Sequence, residues 1–170
     1  MGRHNRAADL GAHIFCFVGR ITDSLWPFFL LRTKDYEAKL GYHVFSKWLE
    51  IDPATKVPLK IDQSDIDKNS KHYQYLAKTY FDMLEVTINS LGPDLADDLF
   101  DLGKRHATFG VKPPYFYTLG EATFYGLKTV MGDNMTKDEM KAWEAVYKYL
   151  ADNMVIGCKA GMEEMEKRRQ

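Results

Sequence analysis

Leu95-Ala96-Asp97-Asp98-Leu99-Phe100-Asp101-Leu102-Gly103-Lys104-Arg105-His106-Ala107-Thr108-Phe109-Gly110-Val111-Lys112-Pro113-Pro114 is the stretch that decides the fold. Leu95, Leu99, Leu102 and His106 recur at steps of four, three and four, which places them on one helix face. Gly110 offers a helix exit, and Pro113-Pro114 blocks continuation. An inward imidazole near a helix end can hold a metal or a haem iron. On spacing alone, the commoner reading is a core histidine bonded to a backbone carbonyl.

Periodicity spreads outward from this helix, and no strand alternation of useful length appears. Upstream, an early helix carries Ile21, Leu25, Phe28 and Phe29. A second, over about 35–50, turns Leu40, Val44, Phe45, Trp48 and Leu49 inward. Asp52-Pro53 reads as a turn opening a short helix, and 56–63 as an irregular connection. Ser64 with Asp67 suggests a cap for a long helix bearing His72, Leu76, Tyr80, Met83, Thr87 and Leu91, ended by Gly92-Pro93. Downstream, Pro113-Pro114 opens a helix with Phe116, Leu119, Phe124 and Leu127. Thr136 with Glu139 forms a capping box for a last helix carrying Met140, Trp143, Tyr147, Leu150 and Met154. That helix frays into the charged run from Glu163 to Arg169.

Composition fits one all-α domain: 170 residues, 45% hydrophobic, 28% charged, net charge −1. The charge balance excludes a basic nucleic-acid footprint, so no nucleic-acid partner is expected. Aromatic residues reach 14%, which suits a large helical core or a flat apolar cofactor. Cys16 and Cys158 form no metal pattern, and two free thiols in a reducing cytoplasm are expected. The apolar run Ile14–Val18 is too short for a membrane span and lacks signal-peptide features, so no membrane association is expected. Arg6 stands where a myristoylation pattern needs Ser or Thr. Walker, Ser-His-Asp and HExxH patterns are absent.

Two helices thus each offer an inward histidine, His72 and His106, 34 positions apart. If those helices cross, the imidazoles face each other across a planar cofactor. Here the residues resemble a known family. Leu102-Gly103-Lys104-Arg105-His106-Ala107-Thr108-Phe109-Gly110-Val111 is similar to the proximal helix and following corner of globins. Phe116-Tyr117-Thr118-Leu119-Gly120-Glu121 resembles the next globin helix, and Trp143 the tryptophan of the last. Trp26, Gly41, Phe45 and Pro53 fall in the order of the first globin helices. The resemblance is strongest to neuroglobin-like and cytoglobin-like globins and runs from about Ile21 to Met154.

The resemblance implies a globin fold, a three-over-three helical sandwich around one haem b (iron protoporphyrin IX). It divides the chain into an extension over 1–18, a globin domain over 19–158 and a charged tail over 159–170. It makes His106 the proximal iron ligand and puts Phe45 on the distal side. Phe109, Val111 and Phe116 line the proximal edge, with Leu150 at the floor. His72 is the distal histidine, with Leu76 one turn later. Neuroglobin spacing counted from His106 lands instead on Gln74, but that register turns Lys78, Asp82 and Glu85 inward, against the cost of burying charge. His72 is therefore preferred and Gln74 is the alternative. The family's phenylalanine after the Pro53 turn has no counterpart, because Leu59 or Lys60 stands there.

The implied function is reversible binding of O2, CO and NO, six-coordinate through both histidines, in a sensing, redox or NO-related role rather than bulk oxygen transport. A reductase or electron-transfer partner is implied for redox work, and a cytoplasmic location is expected. The rival readings are a haem enzyme (peroxidase, nitrite reductase or NO dioxygenase), a five-coordinate oxygen-storage globin, and a globin-fold interaction module without haem.

Overall fold

The computed structural model describes residues 39–61, 70–90 and 95–170. The early helix through Phe29, Cys16, the Ser64 cap, Leu91 and Gly92-Pro93 lie outside them. Among the described residues six α-helices follow in order: α1 over 39–51, α2 Lys56–Leu59, α3 Lys71–Asn89, α4 Leu95–Thr108, α5 Pro113–Met131 and α6 Lys137–Lys167. Short 3-10 turns, Pro53–Thr55 and Gly132–Asn134, join two of the gaps. Among the described residues there is no strand.

The helix ends follow local chemistry. Asp52 caps the Pro53 turn by accepting from the Ala54 amide. The connection read as irregular over 56–63 begins instead with α2, a four-residue helix containing Pro58. It is too short for any periodicity to show. Thr55 beside it is fully buried, its hydroxyl donating to the Asp52 carbonyl at 2.7 Å. Ser70 caps α3. Gly110, at φ 82°, gives α4 its exit, and the Val111 amide closes back on the His106 carbonyl at 3.2 Å. Both halves of the Thr136–Glu139 capping box are formed.

Packing turns on close backbone approaches. A Cβ on Gly41 would overlap that of Ala77, so α1 and α3 cross there almost in backbone contact. The crossing turns Tyr73, Ala77, Tyr80, Phe81, Leu84 and Thr87 into the core. His72, Leu76 and Met83 are therefore half-buried, on the flank of α3 rather than its centre. Val44, Phe45, Trp48, Leu99, Leu150 and Met154 fill the middle of the molecule. α6 lies along α4 and against α5. It continues as one helix beyond 158, and Gly161 still seats against the Lys104 carbonyl.

Candidate functional site

α4 is amphipathic with two inward directions. Leu95, Leu99, Gly103 and Ala107 are buried, while Leu102 and His106 lie half-buried on an adjoining flank. An open cleft of about 770 Å³ lies between α3 and α4, lined by Met83, Leu99 and Leu102 and by Asp82, Asp98, Asp101, Lys104 and Arg105. Its size is that of a small-molecule or cofactor site. His106 stands one turn past Leu102 on the same flank, beyond the residues that line the cleft.

The imidazole of His106 is held from three sides. Its Nδ1 lies 2.8 Å from the Leu102 carbonyl. A carbonyl oxygen only accepts, so Nδ1 carries the proton and Nε2 keeps a free lone pair. The Phe116 ring lies 5.8 Å away between centroids and the Phe109 ring 6.4 Å away, edge-on. Burial, assisted by the Arg105 guanidinium, pulls the imidazole pKa below its ordinary value, against the opposing effect of the Leu102 bond. A neutral imidazole with a fixed tautomer and an unshared Nε2 pair is what a metal centre requires of a histidine.

The other candidates fall into separate groups. Phe116 is buried, whereas Phe109, at 66% exposed, meets His106 only by its edge. Val111 is half-buried, and its carbonyl accepts from the Cys158 thiol at 3.4 Å. Leu150 is buried in the centre of the core. Phe45 packs edge-on against Tyr80 and Tyr73, with ring centroids at 5.9 and 5.8 Å. His72 is engaged elsewhere: its Nε2 donates to the Leu59 carbonyl at 3.0 Å, tying α3 to the end of α2. At 100° per residue His72, Leu76 and Met83 share one flank within about 40°. Gln74 is exposed and on the opposite flank. Among the described residues there is no cluster of His, Cys, Asp or Glu that would hold a bare metal ion.

The chain matches the globin family model over residues 43–154. It belongs to the globin family. The named relatives are of several kinds. This globin is 30% identical over 120 residues to anaerobic nitrite reductase AHB2 of Arabidopsis thaliana, covering 66% of this chain and 76% of that one. It is 35% identical over 63 residues to a neuroglobin of Tetraodon nigroviridis, covering 37% of this chain and 40% of that one. It is 35% identical over 54 residues to a flavohemoprotein of Bacillus subtilis, covering 32% of this chain. The globin spans only 14% of that flavohemoprotein's length. Among solved structures, a flavohemoglobin from Malassezia yamatoensis with bound FAD and haem superposes with a TM-score of 0.61 at 17% identity. The match covers 85% of this globin and 36% of that chain, and it supports the fold.

The sequence reading did not find the partners of these residues. The Leu102 carbonyl and the hydroxyls of Tyr73, Tyr80 and Tyr147 were invisible to a hydrophobic count. Only the small residues Gly41, Ala77 and Gly120, where bulky neighbours must fit, hint at them.

Proposed function

We propose that this globin holds haem b against α4, with His106 as proximal axial ligand, and binds O2, CO and NO there. The observation that carries the reading is the His106 geometry: Nδ1–H fixed on the Leu102 carbonyl and Nε2 left unprotonated among aromatic rings. When bound, haem supplies an iron coordination position for diatomic gases. Phe109, Val111 and Phe116 hold the proximal side, with Leu150 beneath. Phe45 and Leu76 exclude water from the distal side. Arg105 at the rim offers a cation to the cofactor's carboxylates.

The finer reading is six-coordination by His106 and His72. It is supported by the neuroglobin-like sequence and by the shared flank of His72, Leu76 and Met83. It requires His72 Nε2 to leave the Leu59 carbonyl. Six-coordination taxes gas binding by the fraction of molecules in which His72 is away, which favours sensing, redox or NO-related work over bulk transport. Nitrite or NO chemistry is the second reading, prompted by the nitrite reductase and flavohemoprotein relatives. It calls on the reductase or electron-transfer partner as electron donor, and turnover with NO or nitrite plus a reductant separates it from simple gas binding. The main test is His106→Ala on the reconstituted chain. Loss of stoichiometric haem supports the assignment. Full haem with an unchanged spectrum overturns it.

A further inference from the structure

Two buried tyrosines, one on α3 and one on α6, dock on α5, Tyr147 at its first turn and Tyr80 near its middle. Tyr147, on α6, donates its hydroxyl to the Phe116 carbonyl at 2.9 Å. Tyr80, on α3, lies 2.6 Å from the Thr123 hydroxyl, which itself donates to the Leu119 carbonyl at 2.7 Å. Tyr80 is therefore the donor to Thr123. Phe116 and Leu119 are one helical turn apart, so the Tyr147 hydroxyl directly, and the Tyr80 hydroxyl through Thr123, lead to α5 carbonyls one turn from each other. Gly120 makes this docking feasible, because a Cβ there would run into the Tyr147 ring. The same Phe116 presses its ring on His106 at 5.8 Å. At the other end, the Tyr80 ring meets Phe45 edge-on.

We infer that Tyr147 is a positioning residue for His106: its hydroxyl fixes the first turn of α5, and so sets the Phe116 ring against the imidazole, with Tyr80 bracing the same helix from α3. The physical argument has three steps. Both tyrosines are buried, Tyr80 at 7% and Tyr147 at 4% exposure, so neither hydroxyl has bulk water as an alternative partner. A buried hydroxyl that loses its acceptor carries its full desolvation cost, so each bond holds its geometry firmly. The α5 start has no side-chain cap from Lys112, so its first turns are held by the Pro113-Pro114 pair, by Trp48 Nε1 donating to the Thr118 hydroxyl at 2.9 Å, and by the Tyr147 bond, which alone of these ends on Phe116 itself. Burial also raises both hydroxyl pKa values, and the two groups interact with each other, in line with a closed polar network.

The inference rests on the haem reading for one arm of its test only. Tyr147→Phe in the full chain removes the hydroxyl and keeps the ring. Tyr73→Phe is the control, since Tyr73 is equally buried but bonds only α1, at Tyr42 and Ser46. Without haem, Tyr147→Phe is expected to move the NMR signals of the His106 imidazole and the Phe116 ring, and Tyr73→Phe to leave them in place. With haem, in a His72→Leu background in which the ferrous iron is five-coordinate, Tyr147→Phe is expected to shift the iron–histidine stretching band. Tyr80→Phe is expected to give a smaller shift in the same direction, and it carries the test if Tyr147→Phe does not fold. Signals that stay put in both Tyr147→Phe and Tyr80→Phe, or that move equally in Tyr73→Phe, overturn the inference. A chain that takes up no haem while Tyr147→Phe still moves the His106 signals overturns the haem reading and sustains this one.

Discussion

Gly157 on α6 sits directly on the carbonyl of Phe100 on α4, so close that a Cβ on the glycine would overlap the oxygen. Gly103 meets the Met154 backbone in the same way, and Gly161 follows against Lys104. The helix that carries His106 is thereby laid backbone to backbone along α6. Gly157→Ala forces the helices apart, since no flexible side chain can yield. A loss of about 1–3 kcal/mol or more is expected in urea unfolding. Gly110→Ala meets nothing within 4 Å but must adopt φ 82°, a cost of about 1–2 kcal/mol. An unaltered urea midpoint for Gly157→Ala would show that α4 and α6 are farther apart than described.

The Thr136–Glu139 box is a separate, local contribution. Thr136 Oγ1 accepts from the Glu139 amide at 3.2 Å, and Glu139 returns a bond to the Thr136 amide at 2.7 Å. Thr136→Ala should cost about 1 kcal/mol of stability. Thr136 is exposed and the box lies at the start of α6, away from His106, so haem content should be unchanged. Coupled loss of haem would mean that this end of α6 bears on the site.

Thr136 and Glu139 were readable because a capping box is local in sequence. So were Leu95 and Leu99, and the stripe from Trp143 to Met154, where long helices repeat the 3.6 period. α2 was not, because four residues with Pro58 inside carry no period. The face of α3 was legible in part: of the stripe His72, Leu76, Tyr80, Met83 and Thr87, Tyr80 and Thr87 are buried, whereas His72, Leu76 and Met83 lie at its edge, and the stripe left out Tyr73. The Gly41–Ala77 crossing instead rotates Tyr73 to 2% exposure and satisfies its hydroxyl on Tyr42 and Ser46. Such pairings belong to tertiary packing. His106 and its apolar stripe were legible, whereas the carbonyl that fixes its tautomer and the tyrosines behind Phe116 were not.

Tyr73 gives the pH dependence of stability. Burial, with the neighbouring Tyr42 adding to it, pushes its hydroxyl pKa up to about 12, against the opposing hydrogen bond from Ser46. Burial raises Tyr80 and Tyr147 in the same direction. An acid whose folded pKa exceeds its unfolded value stabilises the fold while it remains protonated. That contribution is complete below the unfolded tyrosine value of about 10 and is lost as pH rises through the folded value. Stability measured by urea midpoint should therefore fall between these limits, together with the rise of phenolate absorbance. Tyr73→Phe should make the alkaline fall shallower. An equally steep fall in the variant would assign the alkaline limb to other groups.

His72 provides the sharpest test of six-coordination, because its Nε2 already has an owner in the Leu59 carbonyl. One nitrogen cannot bond the carbonyl and an iron at once, so coordination frees the end of α2. Six-coordinate ferrous protein should then be low-spin, and CO binding should saturate at a rate set by His72 departure. His72→Leu removes the competitor: the ferrous form becomes five-coordinate and high-spin, and CO binds faster. Gln74→Leu changes an exposed side chain on the other flank of α3 and should leave the spectrum alone. Amide exchange over 56–61 adds an independent readout, since the segment should be better protected whenever His72 holds Leu59. A wild-type ferrous form that is already five-coordinate, with 56–61 protected and then loosened by His72→Leu, would leave His72 as a tie between α2 and α3. A spectrum that answers to Gln74→Leu and not to His72→Leu would mean that α3 is turned the other way in the haem-bound protein.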